Sequence, residues 1–326
     1  LIEVEFHPII IKEFYVGGCQ KDDGSGSYAN DAYIILYNNS ELNVDATDVC
    51  FAIPAPISAT GSNKYIVEGE YIYEKEGWMP ALYSVWWFNT DVEIAPYSQI
   101  VIAITGAIDH TQTYKNSVNL SKADFCFYDP DSGYNNASKY PAPDSSIPAS
   151  HYLKTYVFGM GNAWPVHQSQ PGIFIFKMGI SQVEALSKNA EAYDHTGGAS
   201  AAMNAIKIPF DCILDVIEGW GAANVASSTP RFPACLNSGY VAVTGSQGYT
   251  IYRNVDKEAT EALPENEGKI VYGYSLGTDK VVEGTGTTDP SGIDAEASIK
   301  AGAHIIYSET QNTATDFHQR KISSLK

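Results

Sequence analysis

The chain has 326 residues, 44% of them hydrophobic, and a formal net charge of −18 from 38 acids against 20 lysines and arginines. That hydrophobic share builds a real core and excludes a disordered chain, and no run approaches the ~20 consecutive apolar residues of a membrane span. The acid excess, with no basic cluster to offset it, repels phosphate backbones and anionic headgroups, which excludes nucleic acid as a partner.

The chain opens at Leu1 without Met or a signal-like apolar region, as a trimmed mature form does. The first predicted strand is "PIIIKEFYV" (8–16). An acidic, glycine-spaced stretch, "KDDGSGSYAN" (21–30), leads into "DAYIILYNNS" (31–40). Alternation there puts Ala32, Ile34 and Leu36 on one face and Tyr33, Ile35 and Tyr37 on the other. Both faces are apolar, so a central strand covered on both sides is expected, and the following Asn and Ser end it by bonding to nearby backbone. Further strands follow in "DVCFAI" (48–53), "KYIVEGEYIY" (64–73), "SQIVIAIT" (98–105) and "ADFCFYD" (123–129). The set continues with "GIFIFKM" (172–178), "CILDVIE" (212–218), "GKIVYGYS" (268–275) and "AHIIYSE" (303–309). Each is short and most are bounded by turn-forming residues.

Helical signals are few. In "SQVEALSKN" (181–189), Ser181 and Glu184 match a capping box, with Val183 and Leu186 on one face. "GGASAAMNAI" (197–206) is a weaker second. Long polar connections occupy 129–150 and 276–300, yet no repeat or low-complexity linker divides the chain, so 1–326 reads as one elaborated domain. The five cysteines, Cys19, Cys50, Cys126, Cys212 and Cys235, form no C-x-x-C pair. They read as buried thiols, with one disulfide as the alternative.

The chemical constellations are weighed by geometry. No G-x-S-x-G elbow exists, and Asp194 and His195 in "DHTGGAS" (194–200) are adjacent, which on a strand points them apart. The histidines are scattered, and Asp109 with His110 has no matching third ligand. "DPDSGYNN" (129–136) is better placed: Asp129, Asp131 and Asn135 alternate around Gly133, a spacing that can turn oxygens onto calcium. It is not an EF-hand, since its Gly comes one position early and the twelfth position is Tyr140; a solvated turn is the alternative. Asp22-Asp23-Gly24 is a poorer second. Asp215 and Glu218 are three apart on a predicted strand, hence on opposite faces, which removes them as a glycosidase pair. In "LYSVWWFN" (82–89), parity assigns Trp86 to the core with Leu82 and Phe88. The same parity puts Trp87 with Tyr83 and Asn89, as an exposed aromatic pair beside a polar group that could stack on sugar, or as rings buried under an insertion. Trp164 and Trp220 lie in loop-like contexts and could add to a ligand surface.

The order of four motifs, "IKEFYVGG" (11–18), "DAYIILYNNS", "APYSQIVIAI" (95–104) and "DCILDVIEGW" (211–220), resembles lamin-tail-like domains. That resemblance implies an all-β, immunoglobulin-like β-sandwich, here with long insertions and one or two short helices. Over its whole length the chain is similar to an uncharacterised family of secreted lipoproteins from Bacteroides-type bacteria. The residues that carry this are "GAIDHTQTYKNSVNLSKADF" (106–125), "YRNVDKEATEALPEN" (252–266), "SGIDAEASI" (291–299) and "HIIYSETQNTATDFHQRKISSL" (304–325). The family transfers no catalytic residues. It implies an extracellular, cell-surface or periplasmic protein, with any lipid anchor outside the given sequence. The resulting expectation is a non-enzymatic binding protein, its first ligand a glycan at Tyr83, Trp87 and Asn89 and calcium its candidate cofactor. A partner protein or structural role comes second, and the rival class is a hydrolase whose acids the sequence does not single out.

Overall fold

The computed structural model describes residues 7–278 and 287–326. Twelve strands hydrogen-bond into one sheet: β1 (Ile9–Tyr15), β2 (Tyr33–Asn38), β3 (Val49–Ala52), β4 (Ser84–Trp87), β5 (Gln99–Ala103), β6 (Phe125–Phe127), β7 (Tyr152–Val157), β8 (Gly172–Lys177), β9 (Ile213–Gly221), β10 (Val241–Val243), β11 (Thr250–Arg253) and β12 (Phe317–Arg320). Their spatial order is β10-β9-β8-β3-β4-β7-β6-β5-β2-β1-β11-β12. Three pairings are parallel, β5 with β6, β6 with β7 and β9 with β10; the others are antiparallel. The protein is mostly β.

β2 shows why these residues make a central strand. All six of its residues are buried, and it is flanked by β1 and β5. Ile34 and Leu36 enter the main core, Tyr33 and Ile35 a second cluster with Val118, Leu120 and Ile147, and Tyr37 a third with Ile305 and Tyr307. The outer face is therefore covered by the chain's own long connections. Stacking of Tyr15 on Tyr33, with centroids 5.3 Å apart, anchors that cover.

Two facing layers were expected; one continuous sheet is present, curled around a single main core. That core draws Ile9 and Ile11 from β1, Trp86 from β4, Ile175 from β8 and Ile217 from β9. At the sheet's edges, just past β10, the Thr244 amide donates to Gln319 Oε1 of β12. The curl thus approaches a barrel, although no ladder joins the two edges among the described residues.

Some expected elements differ. "KYIVEGEYIY" is not one strand but a tight hairpin of Ile66–Val67 with Glu70–Tyr71. Its turn residues Glu68 (φ 54°) and Gly69 (φ 85°) both adopt the left-handed region that a two-residue hairpin loop favours. "GKIVYGYS" and "AHIIYSE" keep only isolated bridges, Tyr272 to Ile293 and Val255 to Tyr307. Ile270, Ile305 and Tyr307 pack in or against the third cluster instead, so burial occurs without ladder pairing. Helix α1 (Ile180–Lys188) forms, but its N-cap is Gly179 with no side-chain cap, so the Ser181–Glu184 box is absent. Three short helices were not expected: α2 (Lys257–Ala262), α3 (Ala295–Lys300) and α4 (Thr313–Asp316), each capped by an Asp or Asn side chain. All five cysteines are free thiols. No helix among the described residues is long and apolar enough to cross a membrane.

Candidate functional site

Two β-bulges face each other and build the candidate site. On β9, Asp215 pairs with Ile175 but Ile213 with Phe176, which leaves Leu214 as the extra residue. On β1, Ile11 pairs with Leu36 and Glu13 with Ile35, which leaves Lys12. A bulge unpairs backbone and re-aims side chains. Here the Ile11 amide donates to Asp215 Oδ2 (2.6 Å), and the Ile11 carbonyl accepts from Arg253 Nε (2.7 Å). Arg253, fully buried at the end of β11, also donates Nη2 to Asp215 Oδ2. Its Nη1 reaches the Ser308 carbonyl (2.9 Å) and Glu309 Oε2 (2.5 Å), and the guanidinium lies 4.2 Å above the Phe317 ring.

Asp316 at the end of α4 closes the segment that carries Glu309. It accepts from the hydroxyls of Ser308 and Thr310 and from the amides of Thr310 and Asn312. Two carboxylates, Asp215 and Glu309, thus bond one guanidinium, and the charge of Asp316 acts on it from close by. Burial raises the pKa of Asp215 even against Arg253. Burial likewise pushes Glu309 up to about 7, with Asp215 and Asp316 adding to the rise and Arg253 opposing it.

A cavity of about 830 Å³ opens over this cluster, between Phe210, the start of β9, Leu236 and residues 309–316. A second hollow of about 580 Å³, lined by Ile10, Leu42, Val44 and Lys177, adjoins it. His7 and Glu309 border both, so the two form one groove with Glu309 at its waist. The volume suits a ligand or an extended segment rather than a solvent molecule.

Further along β9, Glu218 turns to a separate arginine. Arg231 and Glu218 are both buried and linked from Nε (2.8 Å) and Nη2 (2.6 Å) to Oε1. The guanidinium also binds the carbonyls of Ile57, Gln170, Pro171 and Gly219, and Trp220 Nε1 donates to the same Glu218 oxygen. This is a structural lock with no opening. Lys12, displaced by the β1 bulge, is equally enclosed: Nζ bonds Glu296 (2.6 Å) amid the rings of Tyr37, Tyr252 and Tyr307.

The sequence-predicted sites are not brought together. Trp87 is 5% exposed, set between Cys50 on β3 and Lys154 on β7, so it offers no open face. Tyr83 has φ 68°, which breaks the extended run between the strand Trp78–Leu82 and β4 and voids the parity argument. Its ring lies against Gly159, and its hydroxyl faces Met203 Sδ at 3.8 Å. Asn89 alone is exposed. Trp86 is fully buried and stacks on Phe127 at 4.5 Å.

Of the three residues in the calcium reading, one faces inward and two face out. Asp129 turns inward and is 5% exposed, with Oδ1 on Lys154 Nζ and Oδ2 on the Thr155 amide, both at 3.1 Å. Asp131 and Asn135 stay at the exposed surface of the turn. Among the described residues, no group of three or more His, Cys, Asp and Glu side chains is arranged to hold a metal. In the Asp194 turn, the carboxylate accepts from Tyr65 OH (2.7 Å) and Thr196 rather than relaying to His195.

Arg253, Glu309 and Asp316 escaped the sequence reading as site residues. An arginine inside the apolar run "TIYRN" was the available signal, since a cation in a buried strand needs carboxylates to meet it.

Comparison with known proteins adds two findings. A family described as a protein of unknown function, DUF4876, matches residues 95–273, more than half of the chain. The chain is similar to a crystal structure of a DUF4876 family protein from Bacteroides thetaiotaomicron VPI-5482, with a TM-score of 0.66 and 20% identity over 96% of this chain and 71% of that one. At that identity the likeness concerns the fold. No curated protein matches.

Proposed function

The chain belongs to the DUF4876 family of proteins of unknown function, and from that premise we propose a non-enzymatic binding protein that takes an extended segment of a partner protein into the groove at Glu309. The observation that carries this reading is the groove itself: it is large and partly apolar-walled, yet its deep carboxylates are already engaged. Glycoside hydrolysis needs one carboxyl free to give a proton and a second free to attack or activate water. Asp215 and Asp316 instead accept several bonds each from the fold, which suits anchors better than catalysts. The partner protein ranks above a glycan because Trp87 is buried, the Tyr83 ring lies against Gly159, and among the described residues Phe210 is the one Phe, Tyr or Trp at the larger cavity.

The remaining parts of the reading are of one piece. We take the curled sheet as the joined layers of a lamin-tail-like, immunoglobulin-like sandwich, supported by β1 and β9 facing each other across the core, and the whole chain as one elaborated domain. A cell-surface or periplasmic location, with a lipid anchor outside the given sequence, fits the acidic composition and the resemblance; fractionation of the native host tests it.

The binding role is tested with a photo-crosslinking residue at Leu214 in the groove and, as a control, at Val67 on the exposed hairpin. Crosslinks to a defined envelope protein from position 214 alone are expected. Equal crosslinking from both positions, or a glycan-array signal that survives Leu214→Arg, would overturn the groove reading.

A further inference from the structure

Resting on that reading, we infer that the segment bound in the groove is cationic, presenting a lysine or arginine to Glu309 while its aliphatic parts lie against Leu214 and Leu236. Among the described residues, the larger cavity is lined by the acids Asp211, Asp215, Glu309 and Asp316 and by no lysine or arginine. Arg253 beneath it is fully buried and spends its donors on Ile11, Ser308, Glu309 and Asp215, so an incoming anion finds no free cation there. In the adjoining hollow the ammonium of Lys177 is bonded to the Asp45 carbonyl (3.0 Å).

One guanidinium among three carboxylates leaves negative charge in excess at a partly desolvated place, where Coulomb attraction is weakly screened. Burial of Glu309 beside like charges raises its pKa to about 7, and a second cation at the groove's waist would draw it into its charged form. The apolar part is equally specific: the β9 bulge lifts Leu214 out of the ladder to the cavity wall, where it can meet the aliphatic stem of a lysine. An anionic segment would meet repulsion from the four acids of the larger cavity. A neutral one would leave the waist uncompensated.

Calorimetry on the full chain tests this with an eight-residue peptide of alternating lysine and alanine, the same peptide with every lysine acetylated, and its glutamate counterpart. The lysine peptide is expected to bind, acetylation to weaken it roughly tenfold or more, and the glutamate form not to bind. Glu309→Gln, which keeps an oxygen for Arg253, should cause a similar loss, whereas Glu191→Gln on the exposed surface should cause none. If the acetylated peptide binds as tightly, if no peptide binds, or if Glu191→Gln costs as much as Glu309→Gln, the cation inference fails. Failure of the groove reading is separately visible: lysine-peptide binding would then be unchanged in Leu214→Arg.

Discussion

Two buried titratable groups pull the stability of this protein in opposite directions with pH. His318 is fully enclosed, hydrogen-bonded to Asn254 Oδ1 (2.7 Å) and Tyr274 OH (2.5 Å). Burial, with Arg320 beside it, pushes its pKa down to about 3. Its unfolded form takes a proton near 6.5, so its contribution is present above that pH and is lost as pH falls toward 3. Glu309 behaves oppositely. Its folded form keeps a proton up to about 7 and its unfolded form only to about 4.5, so its contribution is present below 4.5 and lost as pH rises through 7. Melting temperatures measured from pH 3 to 8.5 should therefore decline less on the acid side in His318→Gln. They should decline less between pH 4.5 and 7 and just above in Glu309→Gln. Parallel curves for either variant and the wild type would remove that residue as a source of the pH dependence.

Strand β9 joins the groove to the lock around Arg231. Truncating Arg231 to Ala leaves Glu218 charged, buried and unpaired, which costs about 3–5 kcal/mol. Gly172 on the neighbouring β8 is part of the same device, because a Cβ there would lie 2.7 Å from the guanidinium carbon. Gly172→Ala should therefore destabilise in urea although it enlarges no cavity, and combining it with Arg231→Ala should cost less than the two added separately. Full additivity in denaturant titrations would show that the glycine does not act through the arginine. The β9 bulge makes a different demand. Deleting Leu214 removes the extra residue and lets Ile213 and Asp215 follow one another against Phe176 and Ile175, so the fold is expected to survive with only that cavity wall lost.

Across the molecule, one core holds a sheet that is nearly closed. Trp86 is its largest fully buried side chain, packed by Phe127, Tyr134 and Tyr140. Trp86→Ala should cost about 3–5 kcal/mol in denaturant titrations, and a loss below about 1 kcal/mol would mean that the packing around it is not as described. Hydrogen exchange should be slowest in β2, paired on both sides and covered on both faces, and faster in the edge strands β10 and β12. Equal protection in β10 and β2 would argue that the curl is a fully bonded barrel.

Local pattern along the chain carries part of this fold. The apolar runs that became β1, β2, β5 and β8 were legible because both faces of a covered strand read as one hydrophobic stretch. Helix α1 was legible from its spacing, although not its cap. Parity served Trp86 but failed for Tyr83, because one residue in the left-handed region resets the alternation and nothing in the local sequence announces it. Leu214 and Lys12 are ordinary members of their strands until a partner's register makes them bulges. The site was decided by tertiary structure for the same reason: Asp215, Arg253, Glu309 and Asp316 lie on separate elements, and only the curl of the sheet brings two of the acids onto one guanidinium with the third close by. Asp129 completes the contrast. Its loop composition suits a cation, but the fold supplied Lys154 and the Thr155 amide first, and a carboxylate bonds to whichever donors the chain packs against it.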